Sequence, residues 1–145
     1  MIGLIQRVSV AKVQIEGRTI GEIGRGLMVL VGVEREDGSA EADRLAAKLI
    51  AYRVFPDDAG KMNRSVLDTK GEILLVPNFT LAGNAQQGRR PSFDQAMRPE
   101  QAEPMFNQLA QMLAERGVPT QTGVFRAHMH VALVNDGPIT LVIDA

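Results

Sequence analysis

Leu27-Met28-Val29-Leu30-Val31-Gly32-Val33 is an unbroken apolar run, and Ile73-Leu74-Leu75-Val76 is a second. Runs this short, bounded by Gly24 and Gly26 before the first and Pro77 after the second, suit buried strands rather than helices. Working back from the first, residues 1–23 also read as strands. The opening is apolar to Val10, Val13-Gln14-Ile15 follows, Glu16-Gly17-Arg18 makes a turn, and Ile20 to Ile23 returns. Between the two runs the period changes. Ala42, Leu45, Ala46, Leu49 and Ile50 fall on one face of a helix predicted over 39–52, with Ser39 as its N-cap and Glu41 and Asp43 near its positive end. A second helix is predicted over 100–116, with Ala102, Met105, Phe106, Leu109, Ala110 and Leu113 inward. Pro104 should lie near its first turn, and Gly117 and Pro119 stop it. Phe125 to Val134 alternates as a strand, with Arg126, His128 and His130 on its polar face. Ile139 to Ile143 closes the chain as another. Many strands with two helices in separate blocks predict an α+β fold, with a mainly antiparallel, strongly curved sheet and helices on one side.

At 145 residues the chain is long enough for one domain, 1–145, with a substantial core. An apolar fraction of 45% and a charged fraction of 23% are those of an ordinary soluble globule. No apolar run reaches a membrane span, and Met1 to Arg7 lacks the basic-then-apolar order of a signal peptide. With no cysteine there are no disulfides, thiol nucleophiles or thiolate zinc sites. A cytoplasmic protein without membrane association is expected. The net charge of −1 argues against nonspecific coating of nucleic acid, and no DNA partner is expected. It leaves room for a grip on one end of one RNA. Positive charge gathers at Arg89-Arg90 and at Lys61 with Arg64, as solvated loops or as phosphate contacts.

Conventional catalytic equipment is missing. There is no G-x-S-x-G elbow, no H-E-x-x-H and no Walker loop. His128 and His130 have no carboxylate or cysteine at ligand spacing, so no metal is expected, and no cofactor motif is present. Thr80 has no visible activating base and equally suits a bond within its own loop. Asp136 is a possible base or simply a turn residue beside Gly137. Phe79 reads most simply as a core anchor of its loop.

Two loops carry more. One is Pro77-Asn78-Phe79-Thr80-Leu81, followed by Gly88-Arg89-Arg90-Pro91-Ser92-Phe93. The other is Asn135-Asp136-Gly137-Pro138-Ile139-Thr140, where the Gly-Pro bond can be cis at modest cost. With Met1 to Val8, Gly21-Glu22-Ile23-Gly24, Gly60-Lys61-Met62-Asn63 and Thr120-Gln121-Thr122-Gly123, they form an ordered set that resembles the D-aminoacyl-tRNA deacylases end to end. One departure stands out: the family's loop usually reads Ser-Gln-Phe-Thr-Leu, and here Pro77 and Asn78 occupy its first two positions.

The resemblance implies a barrel-like sheet, a homodimer and the aminoacylated 3′ end of tRNA as substrate. It implies hydrolysis of D-aminoacyl-tRNA, and of glycine misattached to alanine tRNA. The backbone amides of Phe79 and Thr80 would stabilise the oxyanion, and the terminal 2′-hydroxyl of the RNA would do the work of a side chain. Gly137 and Pro138, held cis and inserted from the partner subunit, would reject L side chains, with Pro77 and Asn78 beside the substrate. Arg7 would brace that loop, and Arg89 and Arg90 would touch tRNA phosphates. Two rivals remain open at this level. One is a relative with altered stereochemistry acting on small L-aminoacyl-tRNA, and the other is a noncatalytic RNA- or nucleotide-binding module.

Overall fold

The computed structural model describes residues 1–86 and 89–145. Gly88, the first residue of one motif quoted above, lies outside the described residues. Among the described residues, eight strands and two α-helices run in the order β1 (Ile2–Ile15), β2 (Arg18–Ile23), β3 (Gly26–Gly32), α1 (Ser39–Ala51), β4 (Phe55–Pro56), β5 (Met62–Arg64), β6 (Glu72–Pro77), α2 (Pro99–Glu115), β7 (Thr120–Thr122) and β8 (His130–Asp144). A single 3-10 turn, Phe79–Ala82, follows β6. The fold is α+β, with a mixed, nearly closed barrel-like sheet.

The sheet order is β2-β1-β3-β6-β7, with β8 on the remaining edge of β1. β1 pairs antiparallel with β2, β3 and β8, whereas β3–β6 and β6–β7 are parallel. The two apolar runs are β3 and β6, and their continuous character has a direct cause. Leu27, Val29 and Val31 of β3 and Ile73 and Leu75 of β6 turn toward the helices, where they meet Leu45, Leu49, Phe106 and Leu109. Met28 of β3 and Leu74 and Val76 of β6 turn the other way, into the curl of the sheet against Val8, Val13 and Ile23. Successive side chains on a strand point to opposite faces, so a sheet covered on both faces has no polar positions to alternate.

Both helices bury the predicted stripe: Ala42, Leu45, Ala46 and Leu49 on α1, and Ala102, Phe106, Leu109 and Leu113 on α2. Their starts differ from expectation. Ser39 is the first helical residue of α1 rather than its N-cap. Gly38 takes that place, and the Glu41 carboxylate accepts the Gly38 N–H at 2.8 Å. α2 begins at Pro99, which leaves Pro104 inside the helix and beyond the first turn. The predicted strand over 125–134 begins only at His130, because Phe125 and Arg126 form a turn and Arg126 has φ +64°. A residue in the left-handed region cannot continue an extended chain.

β8 is an exposed edge of the sheet. Val131, Val134, Leu141 and Val142 on it are exposed, as is Val10 on β1. No helix is long and apolar enough to cross a membrane among the described residues.

Candidate active site

Strand β6 carries Pro77 to the rim of the sheet, and the chain then tightens into the Phe79–Ala82 turn. Asn78 makes that turn possible. Its backbone is extended, and its side-chain Oδ1 accepts the Thr80 N–H at 3.2 Å and the Thr80 hydroxyl. This is N-cap chemistry: a short polar side chain satisfies a donor that the first turn leaves without a partner. The Asn78 N–H is itself tied to the carbonyl of Val31 on β3, at 2.8 Å. Thr80 is therefore engaged twice by Asn78, through its amide and through its hydroxyl. Phe79, as the first residue of the turn, has no acceptor for its N–H within it.

The Phe79 side chain is not a core anchor. It is 58% exposed and meets Phe93 edge-on, with ring centroids 5.2 Å apart. It stands between two clefts of about 520 Å³ each. The first is largely apolar, running between Val31 of β3, Val33 just beyond it, Phe93, the start of α2 at Ala102, and Phe125. The second opens on the concave side of the sheet, toward Gln6, Met28, Leu133 and His128. Pro77, Asn78, Phe79 and Arg126 line both.

The Gly137-Pro138 loop is built differently. On β8, Asn135 pairs with Val8 of β1 and Thr140 with Gln6, so four residues bulge out where β1 offers only Arg7. The Gly137–Pro138 peptide is cis. Asn135 clips the base of the bulge: its Oδ1 accepts the Ile139 N–H, and its Nδ2 donates to the Thr140 hydroxyl, both at 2.9 Å. Arg7 supports the bulge from beneath. Its side chain is buried, Nε donates to the Asp136 carbonyl at 2.8 Å, and Nη1 donates to the Val54 carbonyl at 2.6 Å. The Asp136 carboxylate lies 3.5 Å from Nε. Gly137 has φ +147°, and a Cβ there would sit 2.8 Å from Ile139 Cγ1 and 3.1 Å from Arg7 Nη2. Only glycine fits this position. Gly137 and Pro138 are exposed, and they line neither of the two clefts around Phe79 in their own chain.

The Val54 carbonyl joins a further element to this support. Just beyond it, β4 and β5 form a short hairpin organised by Asp57. One carboxylate oxygen accepts the Ala59 and Lys61 N–H groups at 2.9 Å, and the other accepts from the Asn63 side chain at 2.7 Å. The Asn63 amide and then the Lys61 N–H hold this carboxyl below the usual aspartate range.

Arg89 and Arg90 are exposed and line neither cleft. The rings of His128 and His130 meet edge-on at 5.3 Å. Among the described residues, no three His, Cys, Asp or Glu side chains gather as a metal site. Sequence reasoning did not anticipate Arg126 or the cap made by Asn78. For Asn78 there was a signal, an Asn directly before the turn.

Comparison with known proteins agrees along the whole length. The family model described as D-Tyr-tRNA(Tyr) deacylase matches residues 4–144. The D-aminoacyl-tRNA deacylase of Geotalea uraniireducens is 53% identical over 144 residues, covering 99% of this chain and 93% of that one. That of Dichelobacter nodosus is 55% identical over 140 residues, covering 97% of each. A solved structure of a c-Myc DNA unwinding element binding protein superposes with a TM-score of 0.96 at 38% identity, covering 100% of this chain and 99% of that one. A probable eukaryotic D-amino acid tRNA deacylase shares the fold, with a TM-score of 0.83 at 15% identity over 99% and 98% of the two chains. The chain belongs to the D-Tyr-tRNA(Tyr) deacylase family and is a hydrolase of the D-aminoacyl-tRNA deacylase class.

Proposed function

We propose that two copies of this chain act together in the cytoplasm, each a single domain, with the Gly137-Pro138 loop of one completing the active site of the other. The observation that carries this reading is the separation of the two halves of the site. The clefts gather around Phe79, while the loop suited to excluding a side chain is exposed and lines neither cleft of its own chain. β8 supplies the means of pairing. Among the described residues it pairs only with β1, and it presents Val134 and Leu141 to solvent. An unpaired edge with exposed apolar side chains is stable in water when a second surface covers it.

The apolar cleft takes the terminal adenosine of the tRNA, whose base meets Phe79 and Phe93. The ester then lies at the Phe79-Thr80 turn, and the amino acid extends into the second cleft toward the partner's loop. Water attacks the ester carbonyl carbon, and the charge that develops on the carbonyl oxygen is met by backbone N–H groups. The Phe79 N–H serves this role directly. The Thr80 N–H joins it when Asn78 releases it, so Asn78 in this chain tunes the number of donors as well as shaping the turn. The neighbouring 2′-hydroxyl of the terminal ribose orients the water, and the ribose oxygen leaves with a proton. No protein side chain has to act as nucleophile, and neither metal nor cofactor enters.

Backbone atoms of Gly137 and Pro138 receive the substrate's amino group and occupy the space that an L side chain would need. D-aminoacyl esters pass, and so does glycine carried on alanine tRNA. Pro77 borders the site without an N–H to offer. Arg89 and Arg90 reach the distal phosphates of the tRNA. The deciding experiment is hydrolysis of matched D- and L-aminoacyl-tRNA, with glycyl-tRNA(Ala) alongside. Turnover of D and glycyl but not L substrates is expected. Turnover of L would establish the altered stereochemistry, and binding without turnover would establish a noncatalytic module.

A further inference from the structure

We propose that Arg126 is a specificity-determining residue that grips the phosphate on the 5′ side of the terminal nucleoside. The inference rests on placing the terminal adenosine in the apolar cleft, as above. Arg126 is the one charged residue among the four that line both clefts; Pro77, Asn78 and Phe79 are the others. A nucleoside whose base fills one cleft and whose ester points into the other has its ribose at this junction, and the 5′-phosphate leaves from the ribose. Arg98 borders the first cleft as well and adds a second guanidinium-bearing residue to its wall.

The backbone supports a task for this side chain. Arg126 has φ +64°, a conformation that costs any residue with a Cβ and that glycine adopts freely. Its side chain is not spent on the protein interior: it is 67% exposed, and its ion-pair partner is Glu100, also exposed, at 3.7 Å. That loose pair is easily exchanged for a phosphate, whose oxygens fit the planar fork of arginine better and carry more charge. Glu100 thus parks the guanidinium at the cleft mouth until the RNA arrives.

The test uses two nonhydrolysable ligands, 3′-D-alanylamino-3′-deoxyadenosine with and without a 5′-phosphate, titrated calorimetrically. The intact protein is expected to bind the phosphorylated ligand more tightly. In Arg126→Gly, which suits the left-handed backbone and keeps the turn, that preference should shrink about tenfold, the size of one charge-assisted contact near the surface. Arg126→Lys should keep part of it. Equal affinity for both ligands in the intact protein would overturn the proposal, and so would equal weakening of both by Arg126→Gly, which would put the residue at the ester instead. Failure to bind either ligand would overturn it together with the adenosine assignment. D-aminoacyl-tRNA hydrolysis by the same preparation reports separately on the proposed function.

Discussion

The Phe79–Ala82 turn, exposed at Phe79 and Thr80, and the exposed Gly137-Pro138 loop both present backbone to a ligand, yet they are secured differently. The turn is held by a residue two positions away, through Asn78 Oδ1. The loop is clipped at its base by Asn135, but its Gly-Pro crest is held from beneath by Arg7, which is 129 residues from Asp136 in sequence and 47 from Val54. A locally capped turn keeps its shape while its surroundings shift. A loop braced by one buried cation inherits every change in the three segments that cation joins. The proposed chemistry divides along the same line, with ester activation on the robust element and stereochemical exclusion on the dependent one.

The sharpest way to break this comparison is Arg7→Ala. Two charge-assisted hydrogen bonds to carbonyls disappear, which should cost about 3 kcal/mol of folding stability. L-aminoacyl-tRNA hydrolysis should rise relative to D as the loop loosens. Denaturant unfolding and paired D and L rates check both effects. An Arg7→Ala protein that keeps its full D preference would show that the loop stands without its brace.

A middle-sized effect is expected on the other side. Asn78→Ala removes the cap and should cost about 1 kcal/mol. D-aminoacyl-tRNA hydrolysis should fall by less than roughly tenfold, with the D-to-L ratio unchanged. Thr80→Ala should do less still, because among the described residues its hydroxyl serves only Asn78. A change in the D-to-L ratio in either variant would mean that the turn shares in the exclusion.

The smallest effect concerns the hairpin beyond Val54. The Asp57 carboxyl is held below its ordinary range by Asn63 and the Lys61 N–H. Its contribution to folding is therefore complete above the unfolded aspartate pKa and is lost as pH falls through the lower folded value. Protection of the Ala59 and Lys61 amides, measured relative to their intrinsic exchange rate at each pH, should fall on acidification through that range, and Asp57→Asn should remove the dependence. The Gly-Pro loop should feel this only faintly, through the Val54 carbonyl.

Much of the fold was legible because burial on both faces leaves a plain mark. The runs 27–33 and 73–76 could be little else than covered strands, and the stripes of α1 and α2 followed the helical period. What escaped was set by single contacts. Nothing in Ser39 reveals that Glu41 would cap Gly38 instead, and nothing in an alternating stretch warns that Arg126 adopts a left-handed φ. Phe79 misled because an aromatic beside a strand is usually packed inside, whereas here it stands exposed between two clefts. The partnership of Arg7 with Val54 was invisible to pattern, since it depends on where a distant hairpin comes to rest.

The long pairing of β8 with β1, from Ile2↔Asp144 to Gln14↔His130, has a consequence for the order of assembly. During synthesis β1 leaves the ribosome early, and β2 and β3 soon cover one of its edges. The other edge waits until residues 130–144 have been made. Contacts this distant in sequence form late and slowly, and an open edge in the meantime invites the wrong neighbours. A nascent chain stalled before His130 should therefore be unusually prone to clump, and the Gly137-Pro138 loop, the proposed stereochemical gate, should take shape only once this strand has been made.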